Sequence, residues 1–411
     1  MMMLKNSFKI GMIALLSATS FSAWAEDYVV VAPQCLIKNL TTNYQSLASA
    51  QQLALIKTND AGLEELMLAK GNQKQLCGGF INVTDKWKNT YTQQTKQVDA
   101  KNAAVFLSQY TKPKSAALKN ANTTYNMQYP NEVNQALAQL NPQEIWSNLT
   151  TLTNFPDRHA NSDTGVQAAE WMKTQVETMA KTYGRNDVHV YFINTGSAYK
   201  QPSVIAKIGT SNEPGIVVSG HLDTMKARSS NMPGADDDGS GSVTVLEATR
   251  TVLASHMQFK RPIYMIWYAA EEEGLVGSQH VVADFQKQNI PVANVLHFDM
   301  TGYTPKNDPT MWVMDDYTSK DLTTFLANLI TTYVKVPVKH TACGYGCSDH
   351  ATWTENGYNA TIATEAKFGD YDPYLHTPQD TMAILSLNHM ANFAKLATAF
   401  AIELAEPVSK K

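Results

Sequence analysis

The sequence predicts an α/β protein: a three-layer α/β/α sandwich with a mixed, largely parallel central sheet, preceded by a mainly helical N-terminal prosegment. Three observations carry this expectation. From about Tyr129 onward, short apolar runs rich in β-branched residues alternate with amphipathic helical patterns. Several of those runs end in a histidine or an acid, which is where sites form in open α/β sheets. Residues 26–127, in contrast, are rich in Gln, Asn, Thr, Ala and Lys and lack the alternation. The length of 411 residues suits one large α/β domain with an appendage, and such a chain can bury its core without disulfides.

The elements follow in order. Residues 1–25 read as a signal peptide: Lys5 and Lys9 form a basic start, Ile10 to Trp24 is mostly apolar, and Ala23-Trp24-Ala25 is a small-x-small cleavage site. No later run approaches the ~20 apolar residues of a membrane span. The expected destination is therefore secreted, extracellular by way of the periplasm. Residues 26–127 form the expected propeptide, with a helix over Thr41 to Ala69, an apolar patch at Ala103 to Tyr110, and a polar linker from Lys112 to Met127. This segment carries 11 basic and 7 acidic residues, whereas residues 128–411 carry 20 and 30. A basic segment joined to an acidic domain suggests a prosegment that sits on the domain, masks its cleft and is cut away by a maturing protease. The other reading is a permanent N-terminal domain.

The catalytic domain is placed at 128–411. Helices are expected at Asn141–Asn154, Val166–Tyr183, Gly241–His256, Leu275–Gln288, Ser319–Val334 and Asn388–Ala405. Strands are expected at Val188–Ile193, Ser203–Ile208, Gly215–Gly220, Pro262–Ala270, Val292–Met300, Thr310–Met314 and Thr361–Thr364. The formal net charge of −4 argues against a nucleic-acid partner. Export permits disulfides. Cys343 and Cys347 lie in Cys-Gly-Tyr-Gly-Cys, whose glycines allow a tight loop, and Cys35 with Cys77 forms the other expected pair. A Cys-x3-Cys metal site would be incomplete.

The chemistry-bearing residues fall at strand ends. His221 and Asp223 follow one run, Asp236-Asp237-Asp238 a short loop, Glu271-Glu272-Glu273 another run, Asp299 a third, and His376 lies in a late loop. Taken singly, each is ordinary. An aspartate triplet is usually a turn or helix cap, and a glutamate triplet an exposed helix start, which is the expectation for Glu273. Together, His221, Asp237, Glu272, Asp299 and His376 offer nitrogen and carboxylate ligands without thiolate. That set suits zinc, with cobalt or manganese as substitutes, and two metals need a bridging carboxylate. His159, His189, His256, His280, His340 and His389 are expected to be structural or surface residues. His297 and His350 match no ligand position.

The combined motif, His221-x-Asp223, Gly234-Ala-Asp236-Asp237-Asp238-Gly, Ala270-Glu271-Glu272-x-Gly, Asp299-Met300 and His376-Thr-Pro-Gln-Asp380, resembles the secreted bacterial two-zinc aminopeptidases of the leucyl type. The resemblance covers roughly 130–406, including Cys343 to Trp353 and Lys367 to Tyr371. It implies two zinc ions bridged by Asp237, with His221 and Asp299 completing one and Glu272 and His376 the other. It implies Glu271 as general base, Asp223 as the acceptor that orients His221, and a cis peptide at Asp237–Asp238. Tyr345 would stabilise the developing oxyanion from a loop closed by Cys343–Cys347. Met300, Met314, Phe368 and Tyr371 would line a pocket for leucine or another bulky apolar N-terminal residue, while Thr364, where some relatives carry an aromatic, leaves a basic or broader preference open. The implied partners are peptide or protein N-termini and a maturing protease, with no nucleic acid, no membrane and a monomeric state. Three alternatives stand beside this: a zinc carboxypeptidase or deacylase, for which Arg228 is the nearest cationic clamp; a glutaminyl cyclase; and a non-catalytic receptor-like ectodomain.

Overall fold

The structure is a computed structural model that describes residues 27–71, 78–91, 100–110 and 124–408. The expected signal peptide, Cys77 and most of the expected linker lie outside the described residues. Among the described residues, the central sheet has eight strands, in the order Val338–Thr341, Met311–Met314, Asn359–Thr364, Val292–Phe298, Gly215–His221, Ile263–Tyr268, Ser203–Ile208 and Val188–Ile193. The middle of the sheet is parallel: Asn359–Thr364, Val292–Phe298, Gly215–His221 and Ile263–Tyr268 run the same way. Antiparallel pairings join this block to the strands on either side. The sheet is thus mixed, as expected.

Burial explains which runs take the centre. Gly215–His221 and Ile263–Tyr268 are buried at every position, as a strand covered on both faces requires. Successive side chains of a strand point to opposite faces, and the core divides accordingly. Ile216, Val218, Met265 and Trp267 pack under the helices Pro142–Thr153, Gly241–Ala254 and Leu387–Ala405. Val217, Tyr264 and Ile266 pack under Val276–Lys287 and the short helix His350–Glu355 through Phe285 and Trp353. Each fully buried large side chain contributes roughly 1.5–3 kcal/mol relative to exposure. No helix among the described residues is long and apolar enough to cross a membrane.

The N-terminal lobe corrects the sequence reading. In place of a helix over Thr41 to Ala69, the chain forms a hairpin, Gln45–Ala50 with Leu53–Thr58, and then the helix Asp60–Gly71. Together with Tyr28–Pro33 and Ile81–Asn82 these strands make a four-stranded antiparallel sheet, so the lobe is α/β and not mainly helical. The cause is two-sided burial. Ala54, Leu55 and Ile56 are consecutive and all buried, and a short continuous apolar run carries no period that separates strand from helix. Val338–Thr341 escaped the reading for the opposite reason, being an edge strand with no buried position.

One face of the lobe sheet is covered by the lobe itself, where Val29, Val31 and Leu55 meet Trp87, Phe106 and Leu107. The other face is shared. Val30, Ile56, Leu63, Leu66 and Phe80 form one core with Ala160, Tyr199, Met225, Ala270 and Val276 of the α/β domain.

Candidate metal centre

Three adjacent parallel strands end on the same edge of the sheet. His221 is the last residue of Gly215–His221, in register with Tyr268 of the next strand, which leads into Glu271 and Glu272; Asp299 directly follows Val292–Phe298. Asp237 lies in the turn that opens the helix Gly241–Ala254, and its peptide bond to Asp238 is cis. His376 comes from the loop after Asn359–Thr364. Ala270, Met300 and His376, at or beside these residues, all have positive φ (52°, 62° and 58°), a conformation that costs a non-glycine residue of order 1 kcal/mol or more and concentrates at functional sites.

The five expected ligands converge as two triads that share Asp237: His221, Asp237 and Asp299, and Asp237, Glu272 and His376, each with one atom per residue within 4.8 Å of the others. His221 Nε2 lies 3.0 Å from Asp237 Oδ1 and 3.8 Å from Asp299 Oδ1. His376 Nε2 lies 3.0 Å from both Asp237 Oδ2 and Glu272 Oε2. The two oxygens of Asp237 therefore face different histidines, as a bridging carboxylate must. Burial alone would raise the Asp237 carboxyl, but hydrogen bonds from His221 and His376 hold it well below the usual range. Burial opposes protonation of His376, yet Glu272 and Asp237 push it up to about 10. Three carboxylates and two imidazoles in a buried cluster have the donor chemistry and the charge deficit that a pair of dications satisfies.

A second layer of side chains fixes this cage. Asp223 lies 3.5 Å from His221 Nδ1, and its two oxygens accept the N–H groups of Glu271 and Glu272 at 3.0 and 3.1 Å. One carboxylate thus ties the His221 ring to the Glu271–Glu272 turn. Asp238 accepts from the backbone N–H of His221, Gly241 and Met300 at 2.9–3.0 Å, which explains why it points away from the triads. Asp236 accepts from Gly302 N–H; burial raises its carboxyl to about 7.

Three of the supporting groups have no role in the sequence reading. Asp380, the end of the quoted His376 motif, accepts from the N–H of Asp236 and Asp237 at 2.7 and 3.1 Å. Arg158 is fully buried and donates to the carbonyls of Leu152, Leu222, Pro233 and Gly234 at 2.5–3.3 Å. Burial pulls its guanidinium down to about 10, against Asp380, Asp238 and Asp223, which favour the charge. A single arginine between Asp157 and His159 carries no sequence signal of that role. Asp316 accepts from the N–H of Cys343 and Gly344 at 3.1 and 2.6 Å and so anchors the loop closed by the Cys343–Cys347 disulfide.

Glu273 is a correction. It is buried and not an exposed helix start: His159 Nε2 lies 2.8 Å from one of its oxygens and Tyr199 OH donates to the other at 3.3 Å. His159 Nδ1 accepts from Asn161 N–H, so Nε2 carries the proton toward Glu273. His297 is a buried strut between Ser219 Oγ (3.1 Å) and Ser348 Oγ (2.8 Å), away from the triads.

Beside the triads lies an apolar pocket of about 70 Å³. Asp237, Asp299 and His376 border it together with Met300, Met314, Tyr345, Thr364, Phe368 and Tyr371. Phe368 makes edge contacts with both Tyr345 and Tyr371, at centroid distances of 6.1 and 5.7 Å. Every residue expected in the pocket is therefore present at one place.

The N-terminal lobe meets this region. The backbone at Gly78 lies so close to the Tyr345 ring that a Cβ there would come within 3.0 Å of it. Asn82 exchanges bonds with the turn that follows Glu271: its N–H donates to Gly274 O (3.0 Å), its carbonyl accepts from Gln279 (3.0 Å), and its amide donates to Tyr199 OH (3.3 Å).

Comparison with known proteins follows the same lines. Residues 203–401 match the model of peptidase family M28. Leucine aminopeptidase 1 of Penicillium rubens is 36% identical over 291 residues, covering 68% of this chain and 76% of the relative. A probable leucine aminopeptidase of Arthroderma otae is 33% identical over 335 residues, 79% of this chain and 83% of its own. Among solved structures, the Legionella pneumophila LapA aminopeptidase is 44% identical with a TM-score of 0.84, covering 94% of this chain and 100% of that one. LapB from the same organism is 38% identical with a TM-score of 0.82, covering 92% and 100%. Coverage of that extent reaches into the N-terminal lobe.

Proposed function

The chain belongs to peptidase family M28 as a homologue of leucine aminopeptidases, and on that premise we propose that it is a zinc aminopeptidase with the two-metal site described above. The observation that carries the proposal is the pair of triads sharing Asp237. In it, His221 and Asp299 would hold one ion and Glu272 and His376 the other, with Asp237 shared between them. When bound, zinc supplies an acidified water and polarises the scissile carbonyl.

The chain's own residues supply the rest. In this reading the Glu271 carboxylate takes the proton of the attacking water and passes it to the leaving amine; support comes from its place beside Glu272, on a backbone held by Asp223. Tyr345, on the loop anchored by Asp316 and the disulfide, borders the pocket beside Asp237, Asp299 and His376, and in this reading its phenol donates to the developing oxyanion. The N-terminal side chain of the substrate enters the pocket of Met300, Met314, Phe368 and Tyr371, which favours leucine or a similar apolar residue. Thr364 shortens one wall and widens that choice. Excess carboxylate around the site attracts the free α-amine, which makes the action exopeptidic.

The reading includes export through residues 1–25 and masking by the N-terminal lobe. Support for masking comes from Gly78 on the Tyr345 ring and from Leu63, Glu64 and Met67, which border the same cavity as His376. A maturing cut before Tyr125 would keep the bond from its hydroxyl to Asn294 of the α/β domain at 2.6 Å. The test is hydrolysis of a panel of aminoacyl chromogenic amides with and without chelator, alongside elemental analysis for zinc. Cleavage of the leucyl amide that stops on chelation and returns with zinc is the expected result. Chelator-resistant activity, or no aminoacyl amide cleaved at any stage of lobe removal, would refute it.

A further inference from the structure

His376 borders two cavities. One is the apolar pocket. The second, about 570 Å³, runs from His376, Thr377 and Pro378 past His159 and Glu273 to Lys226 and Arg228, and the lobe helix Asp60–Gly71 forms its far wall. The charges of this cavity are sorted by side. The α/β domain presents Lys226 and Arg228. Glu273, on the same side, is buried and engaged by His159 and Tyr199, so its carboxylate is not offered to the cavity. The lobe presents Asp60 and Glu64, and the Glu64 carboxylate pairs with the Arg228 guanidinium.

A substrate whose first side chain fills the apolar pocket, and whose first peptide bond lies over the two triads, finds the second cavity directly beyond His376, which lines both. We propose that this second cavity is the leaving-peptide groove, and that Arg228, with Lys226, selects a carboxylate there. The carboxylate is an Asp or Glu side chain just beyond the scissile bond or the terminal carboxylate of a short peptide. In the full chain Glu64 occupies that place, so the lobe covers the groove with the same chemistry that the groove accepts from a substrate. The inference rests on the aminopeptidase reading for the direction of the peptide, but the sorting of charge stands without it. An exposed arginine contributes modest affinity and acts mainly by choosing among partners, since a like charge brought to the same place is repelled. Arg228 is thus a specificity residue of the groove.

The experiment uses the folded full chain and the same preparation digested until the lobe is removed. Specificity is read as kcat/KM for Leu-Glu-Gly over kcat/KM for Leu-Lys-Gly. The digested wild type should favour the glutamyl substrate, and Arg228→Glu should shift the ratio about tenfold toward the lysyl one, with Lys226→Glu shifting it in the same direction by less. In parallel, fluorescence anisotropy measures binding of labelled Glu-Gly-Gly and Lys-Gly-Gly, which needs no turnover. Preferential binding of the glutamyl tripeptide that appears on lobe removal and disappears in Arg228→Glu supports the groove, even if no aminoacyl substrate is hydrolysed; that last outcome would sink the aminopeptidase reading alone. A substrate ratio unmoved by Arg228→Glu, or equal binding of the two tripeptides by the digested wild type, overturns the proposal.

Discussion

The α/β domain and the N-terminal lobe bury their sheets in different ways. The domain covers both faces of its central strands with its own helices, so that Val217 and Val218 of one strand each meet a helical layer from the same unit. The lobe covers one face with its own helices and leaves the other to the domain, where Leu66 and Phe80 pack with Met225 and Val276. The lobe therefore shares one of its two cores with the domain, while among the described residues the domain gains from the lobe cover over a few apolar side chains, the Asn82 brace behind the Glu271 turn, and polar contacts at Arg228 and His280. It follows that a nick in the connecting segment leaves the lobe in place. Unmasking requires that the lobe lose its fold or be digested.

The comparison breaks most visibly if chemistry and docking are not confined to separate regions. Glu271→Gln should lower kcat by about 10³-fold, the range that one general acid–base group supplies, with zinc content and melting behaviour unchanged. The loss should be the same before and after lobe digestion. A variant with near-normal turnover by the amide assay would remove the assignment of Glu271.

Arg158→Met asks how far the domain's site rests on its interior. The change strands the carbonyls of Leu152, Leu222, Pro233 and Gly234 in a buried place. A cost of about 3 kcal/mol is expected in denaturant melts, together with weaker zinc retention, because Gly234 leads directly into the turn that holds Asp237. Unchanged zinc affinity would separate the loop from the metal site. Leu66→Ala is the matching change in the lobe. Leu66 is fully buried in the shared core, so a loss of about 3 kcal/mol is expected, felt as easier lobe release. This variant should gain activity on leucyl amides where Arg158→Met loses it. Loss of activity in both would mean that the lobe braces the site more than it covers it.

The two regions also differ in how much of them is legible in the chain. In the domain, the strands that carry the proposed ligands are continuous apolar runs ended by His221 and Asp299, and the five residues of the two triads belong to one combined motif. Apart from Asp223, much of what braces the site was hidden, because Arg158 and Asp316 act through backbone groups mostly far away in sequence and a lone charged residue has no period. Glu273 misled for a related reason: its partners His159 and Tyr199 come from loops 114 and 74 residues away. In the lobe, the strand Leu53–Thr58 was concealed by burial on both faces, and that burial is produced partly by the domain. Pattern reading therefore succeeds where an element's environment comes from its own unit, and it fails where another unit supplies it.

The smallest effect concerns the rim of the lobe. Asp85 lies 3.0 Å from His280 of the domain, and that hydrogen bond, against partial burial, holds its carboxyl below the ordinary 3.8. A depressed carboxyl stabilises the docked state above its ordinary value and loses that contribution as the pH falls through the depressed one. The contact is half exposed, so screening keeps it weak. Acid should therefore loosen the lobe slightly more in the wild type than in Asp85→Asn, which lacks the contribution at every pH. Protease susceptibility of the lobe, followed from pH 7 down through the carboxylate range at constant salt, reads the difference between the two chains. At neutral pH the wild type should be the more resistant, and the two curves should converge at the acid end. Parallel curves would mean that the Asp85–His280 contact contributes nothing to docking and that the shared apolar core alone holds the lobe in place.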